Sequence, residues 1–121
     1  MNITVVSKNN IKVVVVSGDE VILNNAQDAL DLIADIGYNY ECDKMLLHKK
    51  NITEDFFELK NGLAGEIMQK YVNYEMSLAI IGEFEEYHSK SLNSLILESN
   101  KGNSILFKST EEEALEVLCE V

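Results

Sequence analysis

Five short apolar runs, most of them separated by a stretch whose apolar residues recur at helical spacing, constrain this chain more than any other feature. Residues 3–7 are rich in β-branched side chains, and residues 11–16 are apolar again apart from Lys12. With Lys8-Asn9-Asn10 between them, the two runs read as a β-hairpin. Met45-Leu46-Leu47 within residues 44–48, residues 77–81 and residues 104–107 have the length and unbroken apolarity of buried strands. Residues 17–20, Ser-Gly-Asp-Glu, carry turn chemistry, after which residues 21–23 are either a short third strand or a lead into the next element.

The stretches between these runs are helical in period. Ala26, Ala29, Leu30, Ile33 and Ile36 share one face, Asn24 or Asn25 supplies a cap, and Gly37 offers a stop. Over residues 62–74 a single stripe is formed by Leu63, Ala64, Ile67, Met68, Tyr71 and Val72, and Gly65 inside it predicts close approach to the sheet or a second subunit. Residues 89–100 place Leu92, Leu95 and Ile96 together, with Lys101-Gly102 as the expected C-cap. Ser109 followed by Glu112 predicts a capping box, opening a last helix that buries Ala114, Leu115 and Leu118.

The order is therefore hairpin, helix, strand, helix, strand, helix, strand, helix. Alternation of this kind calls for parallel strands joined by right-handed helical crossovers. The expected fold is α/β: a mixed sheet, antiparallel in its N-terminal hairpin and parallel thereafter, with about four helices. At 121 residues, below the ~150-residue prior for one domain, residues 1–121 form a single unit.

Charge narrows the roles such a domain can play. Ten basic and twenty-one acidic residues give a net charge of −11, and all ten basic residues are Lys. A surface this negative repels nucleic-acid phosphates and anionic lipid heads, so neither nucleic acid nor membrane is an expected partner. With no Arg, chemistry that needs a planar two-point grip on carboxylates or phosphates is excluded. Acidic mimicry of nucleic acid ranks below the other readings, because the charges form no regular rows. No apolar run exceeds the four residues of 13–16, far short of the ~20 needed to span a bilayer. Two cysteines, Cys42 and Cys119, and the lack of a signal-peptide pattern at the start, predict a cytoplasmic protein with reduced thiols.

The segments Asn61-Gly62-Leu63, Ser77-Leu78-Ala79-Ile80-Ile81, and residues 105–115 (Ile-Leu-Phe-Lys-Ser-Thr-Glu-Glu-Glu-Ala-Leu) resemble the STAS domain of sulphate transporters and anti-sigma-factor antagonists. Over nearly the whole chain, Asp55-Phe56-Phe57, residues 61–66, Ser89-Lys90-Ser91-Leu92 and residues 98–102 are similar to a small bacterial family classed only as a domain of unknown function. The second likeness brings no activity with it. The first implies a STAS-like domain that offers a surface to a partner kinase. Its switch is phosphorylation of a Ser directly before the Gly that opens the second helix. Asn61 stands at that position and has no hydroxyl.

In open sheets with helical crossovers, ligands usually bind outside the carboxyl ends of the parallel strands. His48 closes one strand there, while Asn61, Gly62 and Leu63, and Ser89, Lys90 and Ser91, open two helices on the same edge. These seven residues are the candidate binding site, for a protein partner or for an anion drawn to the helix N-termini. Asn61 and Ser89 also serve as ordinary caps. His48, His88, Glu83 and Glu86 are an alternative metal set without recognised spacing. Neither cysteine has an activating base nearby in sequence, and Ser-nucleophile and phosphate-loop motifs are absent. The aromatics Phe56, Phe57, Tyr74, Phe84 and Tyr87 form a contact surface if exposed and seal the end of the sheet if buried. The expected function is that of a small cytoplasmic regulator or adaptor without cofactor, binding another protein or itself as a homodimer. A small-ligand sensor or small enzyme, with His48 or His88 as acid–base group, is the alternative.

Overall fold

In a computed structural model, residues 1–120 are described. Two strands, β1 (Asn2–Lys8) and β2 (Ile11–Ser17), form the hairpin. They are followed by α1 (Ala26–Asn39), β3 (Lys44–His48), α2 (Leu63–Asn73), β4 (Ser77–Ile81), α3 (Lys90–Ser99), β5 (Ile105–Lys108) and α4 (Glu111–Leu118). Three short 3-10 turns, Lys49–Asn51, Glu54–Phe57 and Leu59–Asn61, fill the passage from β3 to α2. One five-stranded sheet runs in the order β1-β2-β3-β4-β5, antiparallel between β1 and β2 and parallel from β2 onward. The expected α/β architecture is thus the one observed.

Each parallel step moves to the next neighbour in the same direction, so crossovers of one hand put their helices on one face. Ala29, Ile33 and Ile36 of α1, Ala64, Ile67 and Tyr71 of α2, and Leu92 of α3 share one core with Val14, Met45, Leu47, Leu78, Ile80 and Phe107. The other face carries α4 alone, through Ala114, Leu118 and Cys119 against Val13, Val15, Leu46, Ala79 and Leu106. Because both faces of β2 to β4 are covered, these strands read as continuous apolar runs rather than alternating ones.

Tyr71 is fully buried, and its hydroxyl donates to Met45 Sδ at 3.3 Å. Burial pushes its pKa well above the ordinary 10.0.

Several local expectations are revised. α1 runs through Gly37 to Asn39 and is capped at Tyr40, since an exposed glycine lowers helix propensity without ending a well-packed helix. Its N-cap is Asn25, whose side chain accepts from the Asp28 amide at 2.9 Å. Gly65 lies exposed, and a Cβ there would meet nothing within 4 Å, so no close approach to the sheet depends on it. Val72 is 50% exposed, one position round the helix from the buried Tyr71. α2 buries only the narrow row Ala64, Ile67, Tyr71.

α3 ends on Asn100 in right-handed geometry, and Gly102 is not left-handed. Asn100 caps through tertiary bonds instead: its side chain donates to the Phe107 carbonyl at 3.0 Å and accepts from the Phe107 amide at 2.8 Å. The last cap is shifted one residue, with Thr110 accepting from the Glu113 amide at 3.2 Å. Residues 21–23 contribute only an isolated parallel bridge, Leu23 to Ile52. No helix among the described residues is long and apolar enough to cross a membrane.

Candidate functional site

The carboxyl ends of β3 and β4 deliver the chain into the segments that precede α2 and α3, which places both helix entrances on one edge and on one face of the sheet. At the first entrance Gly62 adopts φ 77°, the left-handed region that glycine enters without a Cβ penalty. It links the last 3-10 turn to α2 as the N-cap. Asn61, one residue earlier than a cap, accepts from the Leu63 amide at 2.9 Å and donates to the Asp55 carbonyl at 3.0 Å. Leu63 is half-buried against the core. At the second entrance Ser89 is the N-cap and accepts from the Leu92 amide at 3.2 Å, leaving Lys90 and Ser91 exposed.

Aromatic rings fill the space between these entrances. Phe57 stacks on Tyr87 at 5.2 Å between centroids and 15° between planes, meets Phe56 edge-on at 5.1 Å, and lies 6.0 Å from Phe84. Phe84 in turn meets Phe107 edge-on at 5.4 Å. Lys49 locks the cluster from above: its Nζ lies 4.6 Å from the centre of the Tyr87 ring, donates to the Glu83 carbonyl at 3.2 Å and pairs with the Glu86 carboxylate. Its stem crosses Gly82 so closely that a Cβ there would sit 2.7 Å from Lys49 Cβ. Phe56, Phe57, Phe84 and Tyr87 therefore seal the end of the sheet, while Tyr74 stands 62% exposed elsewhere.

The Tyr87 hydroxyl donates to Glu54 at 2.7 Å. Its pKa is raised above the ordinary 10.0, first by desolvation and then by the hydrogen bond and charge of Glu54. Tyr71 and Tyr87 thus both hold their protons more tightly folded than unfolded. The stability this contributes is fully present below pH 10.0 and is lost as pH rises beyond it toward the folded values. The urea midpoint is accordingly expected to stay level from neutral pH to about 10 and to fall steeply above, less so in Tyr87→Phe. A midpoint that stayed level into that alkaline range would contradict this.

His48 is not part of the two-entrance surface. Its strand alternation turns it to the α4 side, where Nε2 lies 2.8 Å from Glu111 Oε2; Nδ1 is buried without a hydrogen-bond partner among the described residues. The alternative metal set is divided in the same way, His48 going to Glu111 and Glu86 to Lys49. Among the described residues no three His, Cys, Asp or Glu side chains group to hold a metal. Cys42 and Cys119 are both buried free thiols, and Cys42 lies within 3.2 Å of the Lys12 and Lys44 carbonyls, at the amino ends of the strands.

Two features had no expectation attached to them. Asn51, wholly buried, donates to the Gly18 and Glu20 carbonyls at 2.9 and 3.0 Å and accepts from the His48 amide at 3.1 Å. The second is a groove of about 1160 Å³ at the amino-end edge, lined among others by Ile33, Tyr38, Cys42, Lys44, Tyr74 and Met76. A lone Asn after a lysine pair and two tyrosines far apart in sequence carry no periodic signal, so pattern reading passes over both.

These observations define a class: a one-sheet α/β domain whose carboxyl edge is closed by aromatics and ion pairs, with capped helix starts and exposed polar residues around it. Residues 8–118 match the family described as Domain of unknown function (DUF4180), and the chain belongs to that family. No curated protein and no solved structure matches it.

Proposed function

We propose that this domain is a non-enzymatic regulator or adaptor that docks a protein partner on the surface formed by Asn61, Gly62 and Leu63 together with Ser89, Lys90 and Ser91. The observation that carries this reading is the Phe57–Tyr87 stack, which joins the two helix entrances into one solid surface. A protein partner needs apolar surface bordered by polar groups; half-buried Leu63 offers the first at one entrance, and exposed Asn61, Lys90 and Ser91 offer polar groups at the two. The STAS-like likeness supports the same surface, with Asn61 in place of the phosphorylated Ser, so that binding here is not switched by phosphate at that residue. Action in a bacterial cytoplasm belongs to the same proposal.

The test compares proteins retained by the wild type with those retained by Leu63→Asp and Lys90→Glu, both checked for an unchanged circular-dichroism melt. Partners lost by both variants support the reading; partners kept by both reject it. The groove beside Tyr38 and Tyr74 favours a second reading, a sensor of an apolar or aromatic small molecule. A concentration-dependent rise in Tm with such a compound, absent in Tyr38→Ala, would support that reading instead.

A further inference from the structure

The two edges of the sheet are treated differently. At β5, the Phe107 amide and carbonyl that face away from β4 are both taken by the Asn100 side chain, at 2.8 and 3.0 Å. At β1 no such cover exists among the described residues. The sheet order leaves β1 paired with β2 alone, in unbroken register from Asn2↔Ser17 to Lys8↔Ile11. The turn between them is two residues, Asn9 and Asn10, with φ 56° and 66°. In a two-residue hairpin the pair flanking the turn exchanges hydrogen bonds, and such pairs then alternate along the ladder. Lys8, Val6, Thr4 and Asn2 therefore bond to β2, while Ile3, Val5 and Ser7 direct their amides and carbonyls outward.

Exposed edges in natural proteins are blunted by prolines, bulges, charged side chains or shortness. β1 is seven residues long, has no bulge and no Pro, and carries no charged side chain before Lys8. This uncharged edge belongs to a chain of net charge −11, whose copies would repel one another across most other surfaces.

We propose that β1 is a self-association edge, onto which a second copy of this chain adds its own β1, antiparallel about a twofold axis at Val5. That register sets Val5 against Val5 and Ile3 against Ser7, matching every outward-facing residue with another and making one continuous ten-stranded sheet. Centring on Thr4 or Val6 would strand one outward residue on each copy. The Val5 side chain, 44% exposed in the single chain, is covered by its counterpart, and the two Lys8 side chains go to opposite ends. An antiparallel pair of this kind uses the same patch on both copies and closes as a dimer. The inference stands independently of the docking surface proposed above, which lies at the carboxyl ends of β3 and β4.

Light scattering during size exclusion, with the full chain loaded up to about 500 µM to suit an interface below standard size, reads the outcome directly. The mass is expected to rise with concentration from 13.6 kDa to twice that value. Val5→Lys and Val5→Glu each place like charges opposite one another and should weaken the dimer more than about tenfold, with an unchanged thermal melt. An equimolar mixture of the two variants should recover it. A wild type that stays at 13.6 kDa overturns the proposal and leaves the edge to a foreign strand. A dimer that persists in both variants, or a mixture that remains monomeric, overturns it equally.

Discussion

Asn51→Ala is expected to lower the free energy of unfolding by about 3 kcal/mol, measured as a shift of the urea transition at constant slope. The side chain is the wholly buried polar group that ties the end of β3 to the loop at residues 18–20. Truncation removes one acceptor and two donors at once. The His48 amide and the Gly18 and Glu20 carbonyls then lose partners in a partly buried site where water replaces them poorly. The Asn51 backbone carbonyl, which accepts from Ile22 at 2.7 Å and Leu23 at 3.0 Å, loses the side-chain bonds that position it. Asn51→Asp should be at least as damaging, because it keeps the acceptor for His48 but sets carboxylate oxygens against two carbonyls. A cost below about 1 kcal/mol for alanine would mean that water enters and satisfies these groups.

Phe57→Ala should cost about 3–5 kcal/mol, the usual range for deleting a buried aromatic ring. Phe57 contacts Phe56, Phe84 and Tyr87, so its loss opens a void and removes the bridge between the two helix entrances. Phe57→Leu fills most of the void without the stacking and should cost roughly half as much. Amide exchange makes the second consequence visible: residues 54–62 and 82–89 should exchange faster in Phe57→Ala, while the strands keep their protection relative to global stability. Equal acceleration throughout the chain would show that the ring supports the core and not the rim in particular.

How far the sequence could be read depended on the range of the interactions involved. The order of elements and the hairpin follow from spacing between near neighbours and were legible; the buried faces of α1 and α2 were legible in outline, with Leu32 buried outside the expected stripe and Val72 exposed within it. The caps slipped by a residue, as with Ser109 giving way to Thr110, because adjacent hydroxyls both satisfy the local rule. The candidate surface was legible in part. Crossover topology brings residues 61–63 and 89–91 to one edge, but His48 was grouped with them wrongly in spatial terms. A strand buried on both faces has no apolar–polar alternation to reveal that His48 turns toward Glu111, 63 positions away.

By itself, then, the chain's pattern of apolar runs and helical stripes determined an α/β domain with one mixed sheet, since those periods are set by backbone geometry within each element. Tertiary structure alone decided that aromatics close the carboxyl rim, that Asn51 joins β3 to a distant loop, and that Asn100 takes the outward backbone groups of Phe107 at one sheet edge while β1 has no such partner among the described residues. Each of these depends on residues far apart in the chain meeting at hydrogen-bond or van der Waals distance, and such meetings leave no periodic trace in the order of amino acids.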